Sequence, residues 1–214
     1  AQTTADGKTG VMLTLNCETD FVAKNEGYVN FVQSIVDLAL ANLPNSVEEL
    51  KALSYDGKLS LEEKIIEQVG VVGEKLDLSA YATISAENVI AYNHPGNQLA
   101  TLVGMNKSSA DIAEAGRQVA MQIAAMNPIA INKDGVDAAV IEKEIEVGKD
   151  LAIQEGKPAE MAEKIAMGKL NKFFKDNTLM AQPFVKDGNK SVAEYLKSVK
   201  DDLKVTTFKR VALG

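Results

Sequence analysis

The chain has 214 residues, 46% of them hydrophobic and 25% charged, with a formal net charge of −7, enough to bury one large core or two smaller ones. The acidic balance argues against a broad basic footprint for nucleic acid or an anionic membrane, and a single cysteine excludes an intrachain disulfide or a multi-thiolate zinc site. With no apolar run near 18 residues and no signal peptide, the expected setting is the reducing cytoplasm.

The opening AQTTADG lacks an initiator Met and leads almost at once into a strand, so we expect a processed chain or one cut from something longer. From Val11 to Cys17 the residues alternate: Val11, Leu13, Leu15 and Cys17 share one face, and Met12, Thr14 and Asn16 the other. That pattern predicts a strand covered mainly on one side. Asp20 is the expected cap of a following helix, with Phe21 in its first turn. Phe31, Ile35, Val36, Leu38 and Leu40 continue at helical spacing until Pro44. Ser46 with Glu49, and Ser60 with Glu63, predict two short helices opened by capping boxes. Gly70 and Gly73 mark a loop.

From Leu76 to Ile84 the period returns to two, and Val89 to Tyr92 and Leu99 to Val103 make two more strands around the turn HPGN. Ser108 to Asn127 reads as a helix burying Ile112, Val119, Ile123 and Met126, stopped by Pro128. QSIVDLALANLP from Gln33 and RQVAMQIAAMNP from Arg117 share a pattern, each after a strand, which suggests two related subdomains. The stretch from Ala138 to Asp176 is rich in Glu and Lys and divides at Gly156-Lys157-Pro158, the punctuation of two helices joined by a tight turn. Its stripes are Ile141, Ile145, Gly148 and Ala152, then Met161, Ile165 and Gly168, with Phe173 and Phe174 at the base. They are too narrow to lie flat on a globular core and suit two helices packing mainly on each other. Ser191 with Glu194 opens another helix, and Val205 to Val211 closes the chain as a strand. The expected fold class is α+β: two related subdomains of small antiparallel sheets packed with helices, plus an inserted antiparallel coiled-coil hairpin. The expected divisions are residues 1–84, residues 85–137 with 178–214, and the hairpin at 138–177.

Catalytic chemistry is hard to assemble from these residues. Cys17 as a nucleophile needs a base, and the lone His94 sits in a distant turn. Its place beside Leu13 and Leu15 fits a small buried hydrophobe. Glu18 and Asp20 lie two apart and could share a face, but no further carboxylate or histidine cluster completes a metal site nearby. No phosphate-cradling glycine loop, serine elbow or His-Glu zinc motif occurs. We expect no enzyme activity and no cofactor; a thiol or metal-assisted hydrolase using Cys17, Glu18 and His94 is the remote alternative. Phe21, at a strand-to-helix corner, is either a staple under its own helix or an outward contact anchor. His94 reads as an exposed turn residue.

NCETDFVAKN at Asn16–Asn25 resembles the signature of the elongation factor Ts family, the guanine-nucleotide exchange factors for elongation factor Tu. IQEGKPAEMAEKIAMGKLNKFF at Ile153–Phe174 and QPFV at Gln182–Val185 are similar to that family's coiled-coil hairpin and its return; VGEK at Val72–Lys75 and AYNHPG at Ala91–Gly96 fall in matching order. The resemblance covers essentially the whole chain and implies the α+β fold described above. The family's small N-terminal helical domain, with a TGAGMMDCK-like motif, is not found in this sequence, and AQTT corresponds to the remnant of a first strand. The resemblance also implies that elongation factor Tu, GDP-bound and nucleotide-free, is the partner, with no direct nucleic acid and no membrane. In the implied mechanism Phe21 wedges between helices of the partner while Asp20 holds the local geometry, and Cys17 supports them from the core. Thr19, Val22 and Asn25 complete the motif, His94 is a second contact, and Val72, Gly73, Phe184 and Val185 fall near others. A binding scaffold without efficient exchange is the main alternative; the acidic surface is compatible with a homodimer.

Overall fold

The alternating segment from Val11 folds as the middle strand of a three-stranded antiparallel sheet. A computed structural model, which describes residues 1–213, orders that sheet as β1 (Gln2–Thr3), β2 (Thr9–Asn16) and β3 (Asp77–Ser85). Leu13 lies opposite Tyr81, and the β2–β3 register shifts between Thr14 and Leu15. The contacts of the chain divide it into two compact units: Ala1–Ala124 with the chain from Val205 onward, and Ala125–Lys204.

In the first unit, Val11 and Leu15 pack with Phe31, Ile35, Leu50, Leu61, Ile65 and Leu78. Those residues come from α2 (Glu26–Asn42), α3 (Val47–Ala52), α4 (Leu61–Val72) and β3. The expectation that β2 is covered mainly on one side is corrected. Met12, on the opposite face, is 0% exposed and clusters with Ile84, Val89 and Leu102. The cover comes from a second antiparallel sheet, β4 (Asn88–Asn93), β5 (Leu99–Met105) and β8 (Val205–Ala212), in that order. β2 is therefore apolar on both faces where the sheets meet, and its outer end alone keeps the one-sided pattern.

The helix expected to run from Asp20 is two helices. A single turn, α1 (Asp20–Ala23), ends at Lys24, and α2 starts afresh at Glu26. Gly70, expected in a loop, lies inside α4; the helix stops only at Gly73, whose φ of 76° is a conformation glycine adopts without a Cβ clash. Ser60 with Glu63 forms the reciprocal capping box. Ser46 accepts from the Glu49 amide, but the Glu49 carboxylate reaches one residue further back, to Asn45 N at 2.8 Å. α5 (Ala110–Met126) buries Ile112, Val119 and Ile123, whereas Met126 is exposed, contrary to its expected place on the buried side. Leu43 and Asn127, each ahead of a proline, both take left-handed backbone (φ 47° and 44°), the conformation that commonly ends a helix with a proline following.

In the second unit, α6 (Ala138–Gln154) and α7 (Ala159–Asn177) run antiparallel across the turn at Gly156 and pack on each other. The α6 stripe includes the expected Gly148 and Ala152, but the α7 stripe is Ala162, Ala166 and Leu170. Met161 is 52% exposed and Gly168 is also exposed, which corrects their assignment to the buried face. Small residues at the crossing are the cause. A Cβ added at Gly148 would lie 3.0 Å from the Ala166 Cα, so bulkier side chains there would force the helices apart. The chain returns through the hairpin β6 (Pro183–Phe184) and β7 (Asp187–Ser191), and α8 (Val192–Val199) opens with the full Ser191–Glu194 capping box.

Gly148→Val is expected to lower stability by about 1–3 kcal/mol through overpacking. Gly168→Ala, facing open space, should raise it by up to about 1 kcal/mol through helix propensity. Urea unfolding curves followed by circular dichroism check both signs.

Candidate functional site

β2 ends at Asn16, and the next residues form the turn that carries Phe21. The cap of α1 is Thr19, not Asp20: Thr19 Oγ1 accepts from Val22 N at 3.4 Å, and Asp20 is the first helical residue. Asn25 then caps α2 through a hydrogen bond from Tyr28 N to its Oδ1 at 3.2 Å. Two good capping residues six apart thus bracket one helical turn. Val22 packs partly on the core beside Cys17. Phe21 points the other way and is 89% exposed, so it is not a staple under its own helix. Cys17 is half-buried, and its thiol donates to Thr19 O at 3.4 Å. Tyr28 Oη donates to Leu15 O at 2.5 Å, tying the start of α2 to β2. Burial, with Cys17 alongside, pushes the Tyr28 hydroxyl pKa well up, so it stays a donor across the neutral range.

A residue missed in the sequence completes the turn. Glu74, directly after the Gly73 cap of α4, accepts from Glu18 N and Thr19 N at 3.0 Å on one oxygen and from Thr19 Oγ1 at 2.5 Å on the other. These bonds, the Thr19 hydroxyl first, hold the Glu74 carboxyl below the usual carboxylate range. Asp20, by contrast, is exposed, and its close charged partner is Lys24 at 3.9 Å. Val72 is half-buried against the core, whereas its neighbour Val71 is 74% exposed.

His94 sits in an exposed turn with the features of type II: Asn97 N donates to His94 O at 3.0 Å, Pro95 precedes Gly96, and Gly96 has φ 93°. Its Nδ1 lies 2.9 Å from Tyr92 Oη, with the two rings edge to face. A cleft of about 300 Å³ is lined by Cys17, Thr19 and Asp20 from the Phe21 turn and by Asn93, Gly96 and Asn97 from the His94 turn. In the second unit, Phe184 is buried and stacks on Tyr195 at 4.1 Å between centroids, while Val185 is 59% exposed. Gln182, at the head of the QPFV stretch, is buried and donates to Asp176 O at 2.9 Å. Among the described residues, no group of three or more His, Cys, Asp or Glu could hold a metal ion, and no helix is long and apolar enough to cross a membrane.

The family model described as Elongation factor TS matches residues 18–214. Curated relatives agree. An elongation factor Ts of Amoebophilus asiaticus is 52% identical over 215 residues, covering all of this chain and 77% of the relative. One of Christiangramia forsetii is 49% identical over 214 residues with the same coverage. One of Flavobacterium psychrophilum is 50% identical over 210 residues, 98% of this chain and 76% of the relative. With nearly the whole chain inside the family model and half its residues shared with such relatives, the chain belongs to the elongation factor Ts family.

Proposed function

We propose that this chain is a guanine-nucleotide exchange factor that binds elongation factor Tu, both GDP-bound and nucleotide-free, and that Phe21 drives the exchange. The observation that carries the proposal is an aromatic ring 89% exposed on a single helical turn that Thr19 caps and that the Asn25 cap of α2 follows directly. An isolated aromatic held in water gains most by entering a desolvated pocket on a partner. Asp20 stands beside it, exposed and 3.9 Å from Lys24, and holds the local geometry as the ring enters the partner. His94 supplies a second contact from the turn whose Asn93, Gly96 and Asn97 line the cleft, with Val72 and Gly73 next to the Glu74 anchor. Val185 offers a further apolar contact from the second unit.

Exchange of this kind makes and breaks no covalent bond, so it needs neither cofactor nor catalytic residue. If the nucleotide-free partner is bound more tightly than the GDP-bound one, GDP affinity falls by the same factor. A ring wedged between helices of the partner shifts the Mg²⁺ site and the phosphate-binding loop, which neutralise the nucleotide's charge. The setting that follows is the cytoplasm, with no membrane or nucleic-acid contact by this chain.

The test is release of a fluorescent GDP from elongation factor Tu. This chain should accelerate release, Cys17→Ala should retain the acceleration, and Phe21→Ala should reduce it by roughly 30-fold, the equivalent of about 2 kcal/mol for a buried anchor. Binding without acceleration would instead make the chain a docking scaffold. The reverse pattern, Cys17→Ala inactive and Phe21→Ala intact, contradicts the assignment. At the second unit, Phe184→Ala should act through folding, losing about 3–5 kcal/mol of stability, while Val185→Asp should weaken binding without moving the melting temperature.

A further inference from the structure

A four-residue helix has almost no stability of its own, because nucleating one turn fixes several backbone angles for very few hydrogen bonds. α1 also buries none of its residues fully. Its internal bonds, Ala23 N to Thr19 O at 3.1 Å, Lys24 N to Asp20 O at 3.2 Å and Asn25 N to Val22 O at 2.9 Å, set the shape of the turn. They do not set its direction. The Asp20–Lys24 pair is internal too, and at 3.9 Å on an exposed surface it adds little. Direction must come from ties to the rest of the unit: Val22 packs partly on the core, and among the described residues the polar tie from a separate element is the Glu74 carboxylate.

We propose that Glu74 is the positioning residue of exchange: by accepting Glu18 N, Thr19 N and Thr19 Oγ1 it fixes the angle at which the turn presents Phe21. The proposal rests on Phe21 being the side chain that drives exchange. Glu74 is well placed for this because its own backbone is rigid. Gly73 N donates to Val69 O at 2.9 Å and closes α4, and Leu76 and Leu78 beyond it are buried. The clamp spans 55 and 56 residues of sequence, so it couples the end of α4 to the end of β2. Thr19 has a double task, capping Val22 N while donating to Glu74. The geometry needs an oxygen acceptor of this reach. Gln keeps the reach and one oxygen that can take both amides, whereas Asp is one methylene short.

The experiment is a cycle of Glu74→Ala, Phe21→Ala and the double variant in fluorescent GDP release, with Glu74→Gln and Glu74→Asp alongside. Glu74→Ala should reduce acceleration roughly 10-fold, less than the loss expected for removing the Phe21 anchor itself, because the ring remains but is misdirected. Glu74→Gln should recover most of it and Glu74→Asp little. In the Phe21→Ala background, Glu74→Ala should cost nothing further, because the two act as one unit. Amide hydrogen exchange at Glu18 and Thr19 should rise in Glu74→Ala while the core stays protected, a readout that global destabilisation does not mimic. Wild-type exchange in Glu74→Ala, or an equal loss with and without Phe21, overturns the role of Glu74 and leaves that of Phe21 standing. An inactive Phe21→Ala paired with an unaffected Glu74→Ala therefore separates the two claims; an unaffected Phe21→Ala removes both.

Discussion

Phe21 leaves 89% of its surface in water, so nothing inside its own unit packs the ring into place, and its position is set by the backbone beneath it. That backbone hangs from the end of β2. β2 is fixed because Val11 and Leu15 lie in one apolar cluster and Met12 in another; a slip of one residue would exchange the faces and mismatch the packing of both clusters. From there rigidity passes outward in short steps. Tyr28 Oη holds Leu15 O, Asn25 starts α2, Thr19 starts α1, and Glu74 ties Thr19 to α4. The first three steps are each a single hydrogen bond or cap worth on the order of 1 kcal/mol, and the last is three hydrogen bonds to one carboxylate.

The ionisable supports of the turn each hold one protonation state near neutrality. Tyr28 stays protonated and Glu74 ionised near neutrality, since their surroundings move the two pKa values in opposite directions, up and down. The Glu74 contribution is present above the ordinary carboxylate range and fades only as pH falls through its lowered folded pKa. The supports of the turn therefore do not switch over the range in which translation runs. Cys17 contributes packing and one weak thiol bond to Thr19 O, and His94 is engaged with Tyr92.

Much of the fold was legible because local patterns coincide with it. The period-two runs became β2 to β5 and β8, and the Ser-Glu signals marked true helix starts. Misses arose where the deciding partner is remote or the signal ambiguous. Thr19 and Asp20 are both good caps, and only the end of the extended backbone selects Thr19. The second cap at Asn25 was visible in AKNEGY but lay inside what reads as one continuous helix. The burial of Met12 depends on Val89 and Leu102, far along the chain. The α7 stripe is Ala162, Ala166 and Leu170 rather than Met161, Ile165 and Gly168, because a close helix crossing selects alanine. Glu74 stood inside the matching VGEK stretch, yet nothing local tells that a glutamate after a helix cap will reach Thr19. Phe184 lies in a matching stretch as well, and the structure turns its ring inward onto Tyr195.

The most direct measurement places 4-fluorophenylalanine at position 21 and follows its fluorine resonance, including its sensitivity to H₂O/D₂O exchange, as nucleotide-free elongation factor Tu is added. The ring should show full solvent sensitivity in the free chain and lose it on forming the complex, as a wedge entering a dry pocket must. A complex that forms while the ring stays fully solvated would contradict the account.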